Sequence, residues 1–352
     1  GNALTGTTKN GIIDLYIKCC ENDSLSRNCQ RSERRTTMKH KIKNSIILTS
    51  TAMFFTHLMN KFLSATAVTK NLLKSHMGHR FSWRFGDVFY SKTGSGSPLL
   101  LIHDLDPSSS SYEWNELIQK LSKNHTVYAI DLLGCGRSDK PSMTYTNYLY
   151  VQLISDFIQQ VIGSKTNVAV TGLSSSFLIM ACYSNPSLFN KIIIINPESI
   201  ASLNMIPTKK SKIAKFILEL PIIGNTVYHI LTSKKKLEYA FTEEYLFNPF
   251  HLQNKCVDVY YESAHLRQSN GKFLLSSKKG LFLNFNICKA LREINNSMFI
   301  IYGDHVSNAS LIADQYVRIN PAIEVASIEN TKHLPQLEAS DQVLEYINLF
   351  LS

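Results

Sequence analysis

"NVAVTGLSSSFLIMACYS", residues 167–184, changes its period in the middle. Asn167–Thr171 is a short apolar run that reads as a buried strand. From Ser175 to Asn185, "SSFLIMACYSN", the residues are mostly apolar and long enough for a helix packed on a sheet. Gly172 and three serines lie at the join. Such a cluster is either a solvated turn or a hydroxyl held up at the end of a sheet.

The flanking sequence repeats the alternation. Residues 81–111, "FSWRFGDVFYSKTGSGSPLLLIHDLDPSSSS", read as a hairpin and then a central strand ending at His103. "EWNELIQKLSKN" (113–124) has helical spacing, with Trp114, Leu117, Ile118 and Leu121 on one face. "HTVYAIDLLG" (125–134) is a strand, "YLYVQLISDFIQQVIG" (148–163) a helix and "KIIIINP" (191–197) a fully buried strand. Continuous apolar strands alternating with helices predict an α/β fold, a mostly parallel sheet covered by helices on both faces. Between residues 201 and 290 the alternation stops and only helical patterns appear. "SMFIIYGDH" (297–305) and "AIEVASIENTKH" (322–333) restore two strands, and "QVLEYINLFL" (342–351) closes as a helix. The core is expected over 80–200 and 291–352, with 201–290 as a helical lid over the strand ends.

Composition narrows the function. The chain has 352 residues, 44% hydrophobic and 18% charged, which suits a globular protein. Its formal net charge of +10 is dispersed in short clusters such as Lys209, Lys210, Lys212 and Lys215 or Lys234–Lys236. No zinc-finger spacing, aromatic RNA-binding pattern or long basic run accompanies them, so nucleic acid is not an expected partner. The seven cysteines form no C-x-x-C pair, and neither a metal site nor a disulfide framework is indicated. No glycine-rich phosphate loop follows any strand, which disfavours nucleotide binding.

The amino end reads differently. Residues 1–37 are polar and aperiodic and are expected to be disordered. From Met38, three lysines (39, 41 and 43), an apolar stretch from Ile46 to Met59 and Ala65-Thr66-Ala67 have the layout of an export signal or anchor over 38–75. An amphipathic surface helix is the third reading. The expectation is that Met38 is the natural start and 1–37 an upstream extension. Glu33-Arg34-Arg35 is encodable by a purine-rich tract like a bacterial ribosome-binding site. A bacterial protein, exported or attached to the membrane, follows from that reading, with the cytoplasmic face as an alternative location.

Several segments together resemble the α/β-hydrolase superfamily over residues 80–351. "AIDLLGCGRSDKP" (129–141) is similar to its D-x-x-G-x-G-x-S-x-x-P loop. "PLLLIHDLDPSSS" (98–110) resembles the strand ending in His-Gly, with Asp104 in place of Gly. "VTGLSSS" (170–176) resembles the G-x-S-x-G elbow, with Ser176 in the last position. "ENTKHLPQLEASDQVLEYINLFL" (329–351) is similar to the carboxy-terminal histidine segment, with Lys332 and Ser340 replacing its Gly and Pro.

Position by position, the resemblance implies Ser174 as nucleophile, His333 as general base and the backbone N–H groups of Leu105 and Ser175 as the oxyanion hole. The usual acid position is Val306, so the resemblance leaves Glu198 or Asp304 for that role, with Glu198 preferred. Asp104 opposes an oxyanion if it points inward and is harmless if it points outward. His103 is expected to bond within its loop, and Asp131 with Arg137-Ser138-Asp139 to hold the loop after the strand. The implied activity is a cofactor-independent, carboxylesterase-like serine hydrolase of a small acyl substrate with an apolar part. The alternative is a hydrolase-like fold that binds without turnover.

Overall fold

The computed structural model describes residues 9–74, 78–251 and 253–352. Contacts divide the chain into two units, Gly1–Leu58 and Met59–Ser352. Helix α1 runs Lys9–Ala67. Residues 9–37, expected to be irregular, are therefore helical, while residues 1–8 lie outside the described residues. Helical hydrogen bonds are local, so a polar segment can satisfy its backbone this way without a core. No helix among the described residues is long and apolar enough to cross a membrane.

The second unit is built on an eight-stranded sheet. The strands are β1 (Gly78–Trp83), β2 (Gly86–Thr93), β3 (Ser97–Ile102), β4 (His125–Ile130), β5 (Thr166–Thr171), β6 (Phe189–Ile195), β7 (Met298–Gly303) and β8 (Glu324–Ile328). Their order is β1-β2-β4-β3-β5-β6-β7-β8. The hairpin β1–β2 and the β2–β4 pair are antiparallel. The pairings from β4 across to β8 are parallel. The expected α/β architecture is therefore the observed one.

Helices α2 (Asn115–Leu121), α3 (Asn147–Phe157) and α4 (Ser174–Ser184) connect the first strands. Between β6 and β7 the described residues form only helices: α5 (Ile200–Leu203), α6 (Lys209–Glu219), α7 (Ile222–Leu231), α8 (Lys234–Ala240), α9 (Gln253–His265), α10 (Gly271–Lys279) and α11 (Cys288–Glu293), with a π-helical turn at Phe241–Tyr245. Helices α12 (Ala309–Ile319), α13 (Pro335–Glu338) and α14 (Ser340–Leu351) complete the unit.

Strand alternation explains the two-sided core. Leu100, Ile102, Val168, Val170, Ile192, Ile194 and Ile300 face one layer with residues of α3, α4 and α11. Leu99, Leu101, Ala169, Ile193, Ile195 and Ile301 face the other, against α2 and α14. Successive side chains point to opposite faces, and both faces here are apolar. The sheet's order reverses at β3, which has β4 on one side and β5 on the other. The crevice beyond the carboxyl ends of such strands is where α/β sheets place ligands.

Candidate active site

The sharp turn between β5 and α4 is centred on Gly172, not on Ser174. Gly172 has φ +55°, a left-handed conformation that a side chain disfavours. Leu173 is already right-handed helical, and Ser174 begins α4. Ser174 is fully buried, and its Oγ donates to the His103 carbonyl at 2.7 Å. His333 does not reach it. The expected nucleophile is thus a helix-start residue tying two loops together.

Asp104 fills the space at the turn. An ideal Cβ on Gly172 would lie 2.7 Å from Asp104 Oδ2 and closer still to Cγ and Oδ1. Asp104 Oδ1 accepts N–H bonds from Leu105 at 2.7 Å and Leu173 at 2.8 Å. Its Oδ2 lies 3.4 Å from His333 Nε2. The carboxylate at the end of β3 therefore points inward, into a pocket made of two backbone donors, and faces the imidazole.

The N–H groups that converge at the turn are not the pair expected of an oxyanion hole. They belong to Leu105 and Leu173, and both are directed at Asp104 Oδ1. The Ser175 N–H is spent on Gly172 O at 3.2 Å, and Ser175 Oγ donates to the same carbonyl at 2.7 Å. Helix geometry requires this: once α4 starts at Ser174, the N–H groups at 175 and 176 turn back to 172 and 173. The apex of the turn lies two residues before the serine that the sequence reading placed there.

Neither expected acid bonds His333. Asp304 Oδ1 takes the adjacent His305 Nδ1 at 2.6 Å and the Thr331 N–H at 3.3 Å, so its turn position claims it. Glu198, just beyond β6, lines a cavity of about 160 Å³ together with His333, Asn196, Tyr302, Val306 and Ile312. Burial raises the Glu198 pKa, and the charge of Asp104 adds to the rise. Among the described residues, the carboxylate bonded to His333 is Asp104.

Electrostatics couple the pair. Burial alone would lift the Asp104 pKa, but the His333 hydrogen bond and the Lys278 charge outweigh it and hold the carboxyl well below its usual range. For His333 the burial effect is downward, yet the Asp104 hydrogen bond and charge prevail and raise its pKa. Lys278, on α10, donates to the Leu105 carbonyl at 2.9 Å and to Asp106 Oδ2 at 3.3 Å. It braces the loop whose N–H faces Asp104.

Supporting residues hold these groups in place. His103 Nε2 accepts the Leu132 N–H at 2.9 Å, which leaves the proton on Nδ1 to donate to Asp104 O at 2.6 Å. Both nitrogens are occupied, so His103 is structural, as the sequence suggested. Buried Asp131 takes a two-point bond from Arg137 Nε and Nη2 at 2.7 and 3.0 Å. Asn196, left-handed at the end of β6, was missed from sequence. Its Nδ2 donates to the His333 carbonyl at 2.9 Å and its Oδ1 accepts Gly303 N at 3.1 Å, pinning the histidine loop to β7. The Tyr245 ring stacks on His333 with centroids 5.7 Å apart. The signal for Asn196 was its place after an apolar strand and before Pro197, because Asn tolerates left-handed turns.

Residues 99–346 match the alpha/beta hydrolase family. The chain belongs to that family. This alpha/beta hydrolase is 31% identical over 103 residues to an uncharacterized protein of Mycobacterium tuberculosis, a match covering 29% of this chain and 30% of that protein. It is 29% identical over 109 residues to a soluble epoxide hydrolase of Corynebacterium sp., covering 31% of this chain and 37% of the other. The alignments thus span about a third of these relatives. The crystal structure of carboxylesterase CesB from Bacillus subtilis superimposes with a TM-score of 0.59 at 16% identity, over 84% of this chain and 98% of that one. That likeness shows the shared fold. Among the described residues of this alpha/beta hydrolase, no cluster of three or more His, Cys, Asp or Glu could hold a metal ion.

Proposed function

We propose that the protein is a hydrolase whose nucleophile is Asp104, delivered from the end of β3 into the elbow that Gly172 leaves empty. The observation that carries this reading is the double placement of one carboxylate: Oδ1 between the Leu105 and Leu173 N–H groups, Oδ2 facing His333 Nε2. A carboxylate nucleophile needs both. In the first step Oδ2 attacks an electrophilic carbon, an ester bond to Asp104 forms, and the leaving group departs with the bonding electrons. In the second, neutral His333 takes a proton from water, and the hydroxide adds to Asp104 Cγ. The oxyanion then develops on Oδ1, where the two N–H groups already point. Collapse expels the alcohol, which takes its proton from His333; the proton left on the Asp104 carboxyl passes to solvent and restores the carboxylate, and where the substrate is a ring the oxygen opened in the first step takes up a proton from water.

Glu198 is proposed as the acid that steadies the imidazolium, because it lines the same cavity as His333. The cavity's size of about 160 Å³ and its partly apolar lining suit a small substrate. An epoxide, a small haloalkane or a strained lactone has the electrophilic carbon this chemistry requires, and the relative named as an epoxide hydrolase supports that class. The serine acyl-enzyme route has less support, since Ser174 Oγ is buried on His103 O.

Isotope transfer tests the reading. Single turnover of a reactive epoxide in ¹⁸O-water should leave the product unlabelled and place ¹⁸O in the Asp104 carboxyl group. In His333→Gln the ester on Asp104 should persist and be found by peptide mass spectrometry. Label appearing directly in the product, with none in Asp104, sinks the proposal. A second reading, binding without turnover, is favoured by one observation: the carboxylate fills the oxyanion pocket. It predicts ligand binding with neither ester nor label on Asp104.

A further inference from the structure

Helices α6 and α7 carry a surface that the reaction does not use. Both turn one face inward. Leu218 of α6 and Tyr228 of α7 bury against Leu275 of α10. Ser211 Oγ donates to Gly280 O, and Glu219 bonds Lys215 and Ser276. Their outer faces are apolar at helical spacing. On α6, Ile213 and Phe216 are 59% and 65% exposed. On α7, Ile223 and Ile230, seven residues apart, are 57% and 58% exposed. A helix in water does not gain from such stripes, which belong to interfaces.

Charge identifies the partner. Residues 199–237 contain seven lysines and one acid, Glu219. That acid is already engaged by Lys215 and Ser276. Lys209, Lys210 and Lys212, all exposed, open α6, and exposed Lys235 and Lys236 follow α7. We propose that α6 and α7 form a docking face for an anionic lipid surface. The aliphatic and aromatic stripes would enter the headgroup–acyl boundary, and the bordering lysines would meet lipid phosphates. Interfacial helices bind by this combination of apolar burial and attraction to anionic lipid. The inference is independent of which residue is the nucleophile. It places part of the helical insertion against a membrane, a natural source of small apolar substrates.

The test is co-sedimentation of the full chain with phosphatidylglycerol–phosphatidylcholine vesicles and with phosphatidylcholine alone. Binding to the anionic vesicles should exceed binding to the neutral ones by at least about tenfold. Replacing Lys209, Lys210 and Lys212 by Gln should weaken anionic binding by roughly a hundredfold, at about 1 kcal/mol for each lysine near the surface. Ile213→Ser with Phe216→Ser should weaken it by about tenfold or more, while circular dichroism stays unchanged because both side chains are exposed. Equal binding to neutral vesicles overturns the proposal. So does anionic binding that survives both sets of substitutions, which assigns it to the amino-terminal helix. Concentration-dependent dimerisation in the ultracentrifuge, abolished by the apolar pair and unaccompanied by vesicle binding, assigns the face to a second copy and overturns it as well.

Discussion

Gly172→Ser is the most informative single change. A Cβ there falls 2.7 Å from Asp104 Oδ2 and nearer to Cγ and Oδ1, well inside normal contact distance. The carboxylate must move by about 1 Å, which breaks its bonds from Leu105 and Leu173 N–H. Left-handed backbone at a non-glycine residue costs about 1–2 kcal/mol. Each hydrogen bond to a charged group contributes about 1.5–3 kcal/mol. Asp104 regains some hydration because its side chain is 18% exposed, so the net loss is about 3 kcal/mol. Thermal unfolding should fall by roughly 6 °C, and turnover should be abolished. Asp104→Ala removes the obstacle. In Asp104→Ala with Gly172→Ser the serine then has room, and the pair should be more stable than the sum of the single changes by about 2 kcal/mol. The same double variant places a hydroxyl at the elbow and should react with a fluorophosphonate, whereas the natural sequence should not. Additive stabilities, or an active and stable Gly172→Ser protein, would refute the placement of Asp104.

Four further outcomes follow from the site. Ser174→Ala should keep its rate within about threefold and lose about 1 kcal/mol, the contribution of one neutral hydrogen bond, by denaturant titration. Asp104→Asn should lower the His333 pKa measured by NMR, because the hydrogen bond and charge that raise it disappear. The base must be neutral to act, so kcat should fall as pH drops through the His333 pKa of the ester intermediate; that midpoint should lie below the one NMR gives for His333 in the free enzyme, because the ester no longer carries the Asp104 charge that raises it. Glu198→Gln should reduce kcat by about 10²–10⁴ with KM little changed, and an unchanged kcat would remove Glu198 from the reaction.

The fold was legible because its determinants are local and periodic. The apolar runs at 99–102, 168–170 and 192–195 announce strands buried on both faces, and the helical spacing in 148–163 announces a covering helix. His103, Asp131 and Arg137 were read correctly as loop-holding because their partners lie nearby in sequence or in the adjacent strand's loop. The elbow was misread by two residues. Its pattern of small residues, Gly172 and Ser174–Ser176, allows more than one alignment, and only the positive φ at Gly172 picks the apex. Asp304 was a plausible acid by position until His305 and Thr331 were seen to occupy it.

Sequence alone determined the layers, the strand order's parallel character, the helical insertion and the histidine near the carboxyl end, since periodicity and short motifs carry that information. Tertiary structure decided which group fills the turn beside His333. Asp104 meets Leu173 across 69 residues and His333 across 229, and its charge is tolerable there because those distant segments supply an N–H group and an imidazole and Lys278 adds its charge. A glycine's missing side chain creates that vacancy, and no local pattern records who fills it.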